Sequence, residues 1–90
     1  MNFGDALQAL KDGRAVRRGV WPPGMSLVMV PGSTIQVAAD RPLGAALPHL
    51  VGRRVHYQPH IDLLLPNGAM GSWNAPDADM QGEDWAVHRP

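Results

Sequence analysis

The chain has 90 residues, no cysteine, and eight basic against eight acidic side chains, so its formal net charge is zero. That length allows one small domain, burying about 60–65% of its unfolded surface and leaving a thin stability margin. A disulfide framework and a thiolate zinc site are excluded, and the balanced charge leaves no footprint for duplex nucleic acid or anionic lipid.

Lacking the usual staples of small domains, the chain is a candidate for self-association. Asp5 and Lys11 interrupt the N-terminal segment, so it does not read as a signal peptide, and no apolar run approaches a membrane span. The default expectation is a soluble cytoplasmic protein. Ten glycines and nine prolines predict many turns and little long helix.

Asn2 is a plausible N-cap, and Phe3, Ala6, Leu7 and Leu10 recur on one face of a helix. Gly13 is a suitable left-handed stop, so a helix is expected over about 3–12, docking Phe3, Leu7 and Leu10 on a core. Ala15 to Trp21 alternates as a short strand, and Pro22-Pro23-Gly24 turns the chain. Met25 to Val30 reads as a buried central strand, closed by Pro31-Gly32. Thr34 to Val37 alternates as a further strand or extended loop. Between Asp40 and Arg54 the pattern weakens, apart from one possible helical turn at Leu43–Leu47. The stretch of about 32–54 is expected to be an insertion-like loop.

Strand character returns from Val55 to Leu65, and Asn67-Gly68 marks a hairpin turn whose return strand runs Ala69 to Trp73. Asn74 is expected to cap a short helical turn begun by Pro76 and Asp77 and ending near Gln81-Gly82; Asp84 to His88 forms a last strand. This order predicts an α+β domain with a mostly antiparallel sheet, an N-terminal helix and a short helical turn near the C-terminus.

His56 and His60 are four apart, but Pro59 between them denies a shared helical face, so no metal site is expected. Asp77, Asp79, Glu83 and Asp84 lack the ligand spacing of a calcium loop, and nothing pairs them with a nucleophile. They read as helix caps and solvated carboxylates, and no catalytic residue or cofactor is expected. The three tryptophans say more. Trp85 alternates with Val87 and reads as core. Trp21 and Trp73 end strands beside loops, where a rigid sheet presents side chains to ligands. Core packing and base stacking are equally open for both. Arg17 and Arg18, on opposite faces, offer one guanidinium to a phosphate. Trp21, Trp73, Arg17 and Arg18 are therefore candidate ligand-binding residues.

Asn2-Phe3-Gly4, Ala6-Leu7, Gly13, Arg17-Arg18 and Trp21, followed by Trp73, Ala78-Asp79-Met80 and Asp84-Trp85, resemble a known pattern. It is that of the second described family of phage Thoeris anti-defence proteins, earlier classed only as a domain of unknown function. The resemblance covers both termini and does not extend over Gly32 to Arg54. It implies a homotetrameric sponge in the cytoplasm of the infected bacterium that binds cyclic ADP-ribose isomers, such as glycocyclic ADP-ribose, without cleaving them. It also implies, for some members, a separate pocket for cyclic dinucleotides. Carried over by position, it implies a pocket of Trp21, Trp73 and Asn74, with Arg17 or Arg18 near the diphosphate and Asp77 near ribose hydroxyls; with Met25 added, the expected ligand-binding set is Trp21, Trp73, Asn74, Arg17, Arg18, Met25 and Asp77. Two rivals stay open: an enzyme hydrolysing the same messengers, and a module that inhibits a host immune protein directly. No membrane and no DNA or RNA polymer is expected as a partner.

Overall fold

A computed structural model describes residues 1–89. Helix α1 (Phe3–Lys11) starts where expected: the Asn2 side chain accepts the Asp5 N–H at 2.9 Å, and Gly13 closes the helix with φ 87°. Strands β1 (Val16–Arg18), β2 (Ser26–Val30), β5 (His60–Leu64), β6 (Met70–Ser72) and β7 (Trp85–Val87) form an antiparallel sheet in the order β6-β5-β2-β1-β7. β2 is the central strand, as its apolar run predicts. The fold is α+β, and no helix among the described residues is long and apolar enough to cross a membrane.

The register places Val16 opposite Leu27 and Val87, and Leu27 opposite Leu63, so these side chains line one sheet face. Helix α1 covers that face with Ala6, Ala9 and Leu10, and Trp85 fills the space between at 1% exposure. Burying one indole there supplies a large share of what so small a core can offer. Leu7, expected inside, is half-buried at the rim, because the small side chains of Ala6 and Ala9 make the closest approach.

The segment read as an insertion-like loop is instead an ordered arm. Strand β3 (Ser33–Gln36) pairs with β4 (Arg54–Tyr57), and helix α2 (Pro42–Ala46) with a 3-10 turn at Pro48–Leu50 caps the tip. The arm continues the β2–β5 pair. Val30 faces His60, and three residues further along each strand Ser33 faces Tyr57, so the register passes through unchanged. The ladder breaks only at Pro31-Gly32 and Gln58-Pro59, where the two prolines have no N–H to donate. At that joint a Cβ on Gly32 would lie 2.8 Å from the Tyr57 carbonyl oxygen and 3.1 Å from Pro59. The strands therefore pack tightly at the bend. The molecule measures 46 × 26 × 25 Å with a radius of gyration of 16.4 Å, against about 12 Å for a compact chain of this length.

Three local expectations are corrected. The first strand ends at Arg18; Trp21 lies beyond it in a turn whose Trp21 N–H reaches the Arg18 carbonyl at 3.2 Å. In the Asn67-Gly68 hairpin only Gly68 has positive φ (85°), and its N–H donates to Leu65 C=O. Pro66, Asn67 and Gly68 thus form a three-residue loop ending on a left-handed glycine, not a two-residue turn. Helix α3 (Asp77–Met80) has Pro76, not Asn74, as N-cap, with no side-chain bond to the helix start.

Candidate functional site

Three aromatic rings assemble around Trp85. Its ring lies 5.2 Å from Trp21 at 76°, 6.1 Å from Trp73 at 82°, and 5.5 Å from Phe3. Near-perpendicular contacts of this kind set a positive ring edge on a negative ring face and add about 0.5–1.5 kcal/mol each beyond burial. Trp85 Nε1–H donates to the Asp79 carbonyl at 2.8 Å, which satisfies the buried indole. Trp85 is core, as its alternation predicts.

Trp73 is positioned by two constraints. Its N–H donates to Ile61 C=O at 2.9 Å, extending the β5–β6 ladder, and its ring meets Phe3 at 5.9 Å. One part of the indole is packed and the rest opens into a groove of about 490 Å³. The groove is lined by Phe3, Leu7, Met29, Ile61 and Ala75, with Pro59 and His60 at the foot of the arm. Exposed Asn74 lies between the lining residues Trp73 and Ala75. Sequence reasoning missed this lining because Phe3, Leu7, Met29 and Ile61 carry the ordinary signature of core. What distinguishes them is the offset of α1, which covers one half of the sheet and leaves the other half open.

The remaining expected residues lie elsewhere. Half-buried Trp21 meets Trp85 but does not line the groove, and Met25, after the Pro-Pro-Gly turn, is half-buried without lining it. Asp77 is exposed on the first turn of α3. The Arg17 guanidinium donates to the Trp21 carbonyl at 2.6 Å, pinning the turn that carries Trp21.

Arg18, proposed on sequence as one of two phosphate ligands, is committed inside the chain. Its Nε donates to Asp84 Oδ1 at 2.8 Å and its Nη1 to Asp79 Oδ1 at 3.0 Å. Asp84 also accepts the Val20 N–H at 3.0 Å. The hydrogen bond to Asp84, then that to Asp79, raises the Arg18 pKa above its ordinary value. The Arg18 bond likewise holds the Asp84 carboxyl below its ordinary 3.8. Asp79 and Asp84 are therefore not solvated carboxylates but a clamp. They fasten α3 and the approach to β7 onto β1, with the guanidinium lying over Gly82. The strands meet because Arg18 pairs with Trp85 across the β1–β7 ladder, a proximity that no spacing in sequence reveals.

Two of the four histidines hold local bonds: His60 Nε2 lies 3.2 Å from Asp62, and His56 Nδ1 3.2 Å from Thr34 Oγ1. Among the described residues no cluster of three or more potential ligands could hold a metal ion. What the fold and groove define is a small α+β domain with an open, aromatic-lined recess supported by a tryptophan cluster. The chain belongs to the Tad2-like family: the Thoeris anti-defense 2-like domain matches residues 1–88. No curated protein matches the chain. Its role is accordingly anti-defence, directed against Thoeris.

Proposed function

We propose that this protein is a phage sponge that binds cyclic ADP-ribose-type messengers without cleaving them and so starves the Thoeris effector. The observation that carries this reading is Trp73, rigidly backed by Phe3 and Trp85 while its ring opens into an apolar groove. Such a ring suits an adenine face, and each base stacked on an aromatic contributes about 1–3 kcal/mol. Asn74 beside it suits the polar edge of a base or ribose, and exposed Asp77 suits ribose hydroxyls. Trp21 and Met25 act through the turn they share beside the cluster.

Sequestration is stoichiometric and requires tight binding, about −12 kcal/mol for a nanomolar constant. An open groove on one small domain gives that poorly. A homotetramer enclosing the ligand between subunits gives it well, and the same assembly supplements a core of few buried side chains. A second pocket for cyclic dinucleotides belongs to the same reading.

Calorimetry with glycocyclic ADP-ribose tests it. Tight binding is expected, with intact ligand recovered by chromatography after denaturation. No heat at micromolar protein sinks the proposal, and recovery of a cleaved product establishes the hydrolase instead. Trp73→Ala should weaken binding roughly 5- to 150-fold, the range one lost stack spans.

A further inference from the structure

The central strand is apolar on both faces, yet α1 covers only one. The helix packs on β1, β2 and β7 from the side that also carries the Trp73 groove, where Leu27, Met29, Ile61 and Leu63 lie. Alternation puts Val28 and Val30 of β2, His60, Asp62 and Leu64 of β5, and Met70 and Ser72 of β6 on the opposite face. None of the apolar side chains there joins the buried cluster: Val28, Val30 and Leu64 are half-buried, and Met70 is 54% exposed. An antiparallel sheet with one wet face ordinarily alternates apolar with polar residues along each strand. The run Leu27-Val28-Met29-Val30 does not alternate, which is the pattern of a strand covered on both sides.

The polar groups of this back face say what covers it. His60 and Asp62 follow one another along it, their side chains 3.2 Å apart, and sit directly across the ladder from Val30 and Val28. Two rows therefore lie side by side, Val30 with His60 and Val28 with Asp62. A two-fold axis between these rows, perpendicular to the strands, lays a second copy on the first with the rows exchanged. Val28 of each copy then meets Val30 of the other, and His60 of each meets Asp62 of the other. The face is thus complementary to itself in charge as well as in polarity. Arg17, the other charged strand residue on it, is already held by the Trp21 carbonyl. Sheets stacked this way sit about 10 Å apart, the ordinary spacing of a β-sandwich. The second layer gives a 90-residue chain apolar burial that its own small core lacks.

We propose that the back face of the five-stranded sheet is a two-fold interface between copies of this chain, with Val28 and Val30 at its centre and His60–Asp62 pairs crossing it. It lies on the other side of the sheet from the Trp73 groove and takes no part in holding the messenger. A tetramer of dihedral symmetry needs two different two-fold interfaces, and this face supplies one that is independent of ligand.

Charge exchange tests it. By light scattering the wild-type protein should have at least twice the 9.7 kDa mass of the chain. His60→Glu sets acid over acid and Asp62→Lys sets base over base, so each variant alone should fall to roughly half the wild-type mass. Mixed, the two should regain it, because the new carboxylate of one chain meets the new ammonium of the other. Val28→Lys should halve the mass too, with the circular dichroism spectrum of the wild type. If that variant fails to fold, the two charge variants, made at partly exposed side chains, decide alone. A monomeric wild type overturns the proposal, as do charge variants that keep the wild-type mass or a mixture that fails to recover it. The mass is read without ligand. A wild type that assembles through this face but binds no messenger therefore sinks the sequestration reading and leaves this one standing.

Discussion

The body and the arm are built from one continuous antiparallel ribbon yet are stabilised in different ways. In the body, β2 of the β2–β5 pair lies under α1 beside β1 and β7 and gains a shared interior of Ala6, Leu10, Val16, Leu27 and Trp85. In the arm, the same two chain segments run on in the same register but find no such layer; Val37, 3% exposed, is the buried apolar side chain at the tip. The arm instead relies on backbone closure. Val37 N–H donates to Arg53 C=O, Gly52 N–H returns to Val37 C=O, and α2 sits directly on Ala38. Strand pairing alone therefore does not decide where the stability lies. The layer packed on top decides it.

The sharpest way to separate the two regions is to remove the body's centre. Trp85→Ala should cost about 3–5 kcal/mol in urea unfolding and lower the midpoint for the whole molecule, since the indole is buried and joins α1 to three other aromatic rings. Equal stability would show that the aromatic cluster is not the core.

The matching change in the arm is Gly44→Ala, whose Cβ would fall on the Ala38 carbonyl oxygen. It should destabilise the tip by more than about 2 kcal/mol, with hydrogen exchange rising over residues 38–52. Near-UV tryptophan signals should hold, because all three tryptophans lie in the body. If those signals collapse too, body and arm are one cooperative unit.

A smaller loss is expected from Gly82→Ala, where the new methyl would lie 2.6 Å from Arg18 Nε. The guanidinium is tied on both sides and cannot step aside without giving up Asp79 or Asp84. Thermal unfolding should shift downward, and in an Arg18→Met background Gly82→Ala should cost much less. Additive losses would separate Gly82 from the clamp.

The smallest effect is a pH dependence. Asp84 has its folded pKa depressed below 3.8 by the Arg18 bond, so its contribution is present above that value and fades as pH falls through the lower folded one. Asp84→Asn should flatten the stability curve below about pH 3.8 and leave its slope near neutrality unchanged. The raised Arg18 value acts only at strongly alkaline pH, where its contribution is lost as pH rises through the folded pKa.

Much of the body was legible in the sequence because its signals are local. The Asn2 cap, the Gly13 stop, the apolar run of β2 and the alternation around Trp85 each act within a few residues. The arm was not legible. Pro42, Gly44, Pro48 and Gly52 look like the punctuation of a loop, whereas each holds a defined place in a compact tip. Nor could the clamp be read, since Arg18 and Asp84 are 66 residues apart and only the β1–β7 pairing brings them together.

Trp73 shows the division most clearly. The sequence by itself determined that a tryptophan would emerge at the end of a hairpin strand, because turn chemistry and alternation are properties of neighbouring residues. Only the tertiary structure decided that Phe3 and Trp85 would back it on one side while α1 left the other side open. That depends on where a helix comes to rest across a sheet. Its position follows from Ala6 and Ala9 allowing close approach and from Trp85 filling the space they leave, contacts between residues far apart along the chain.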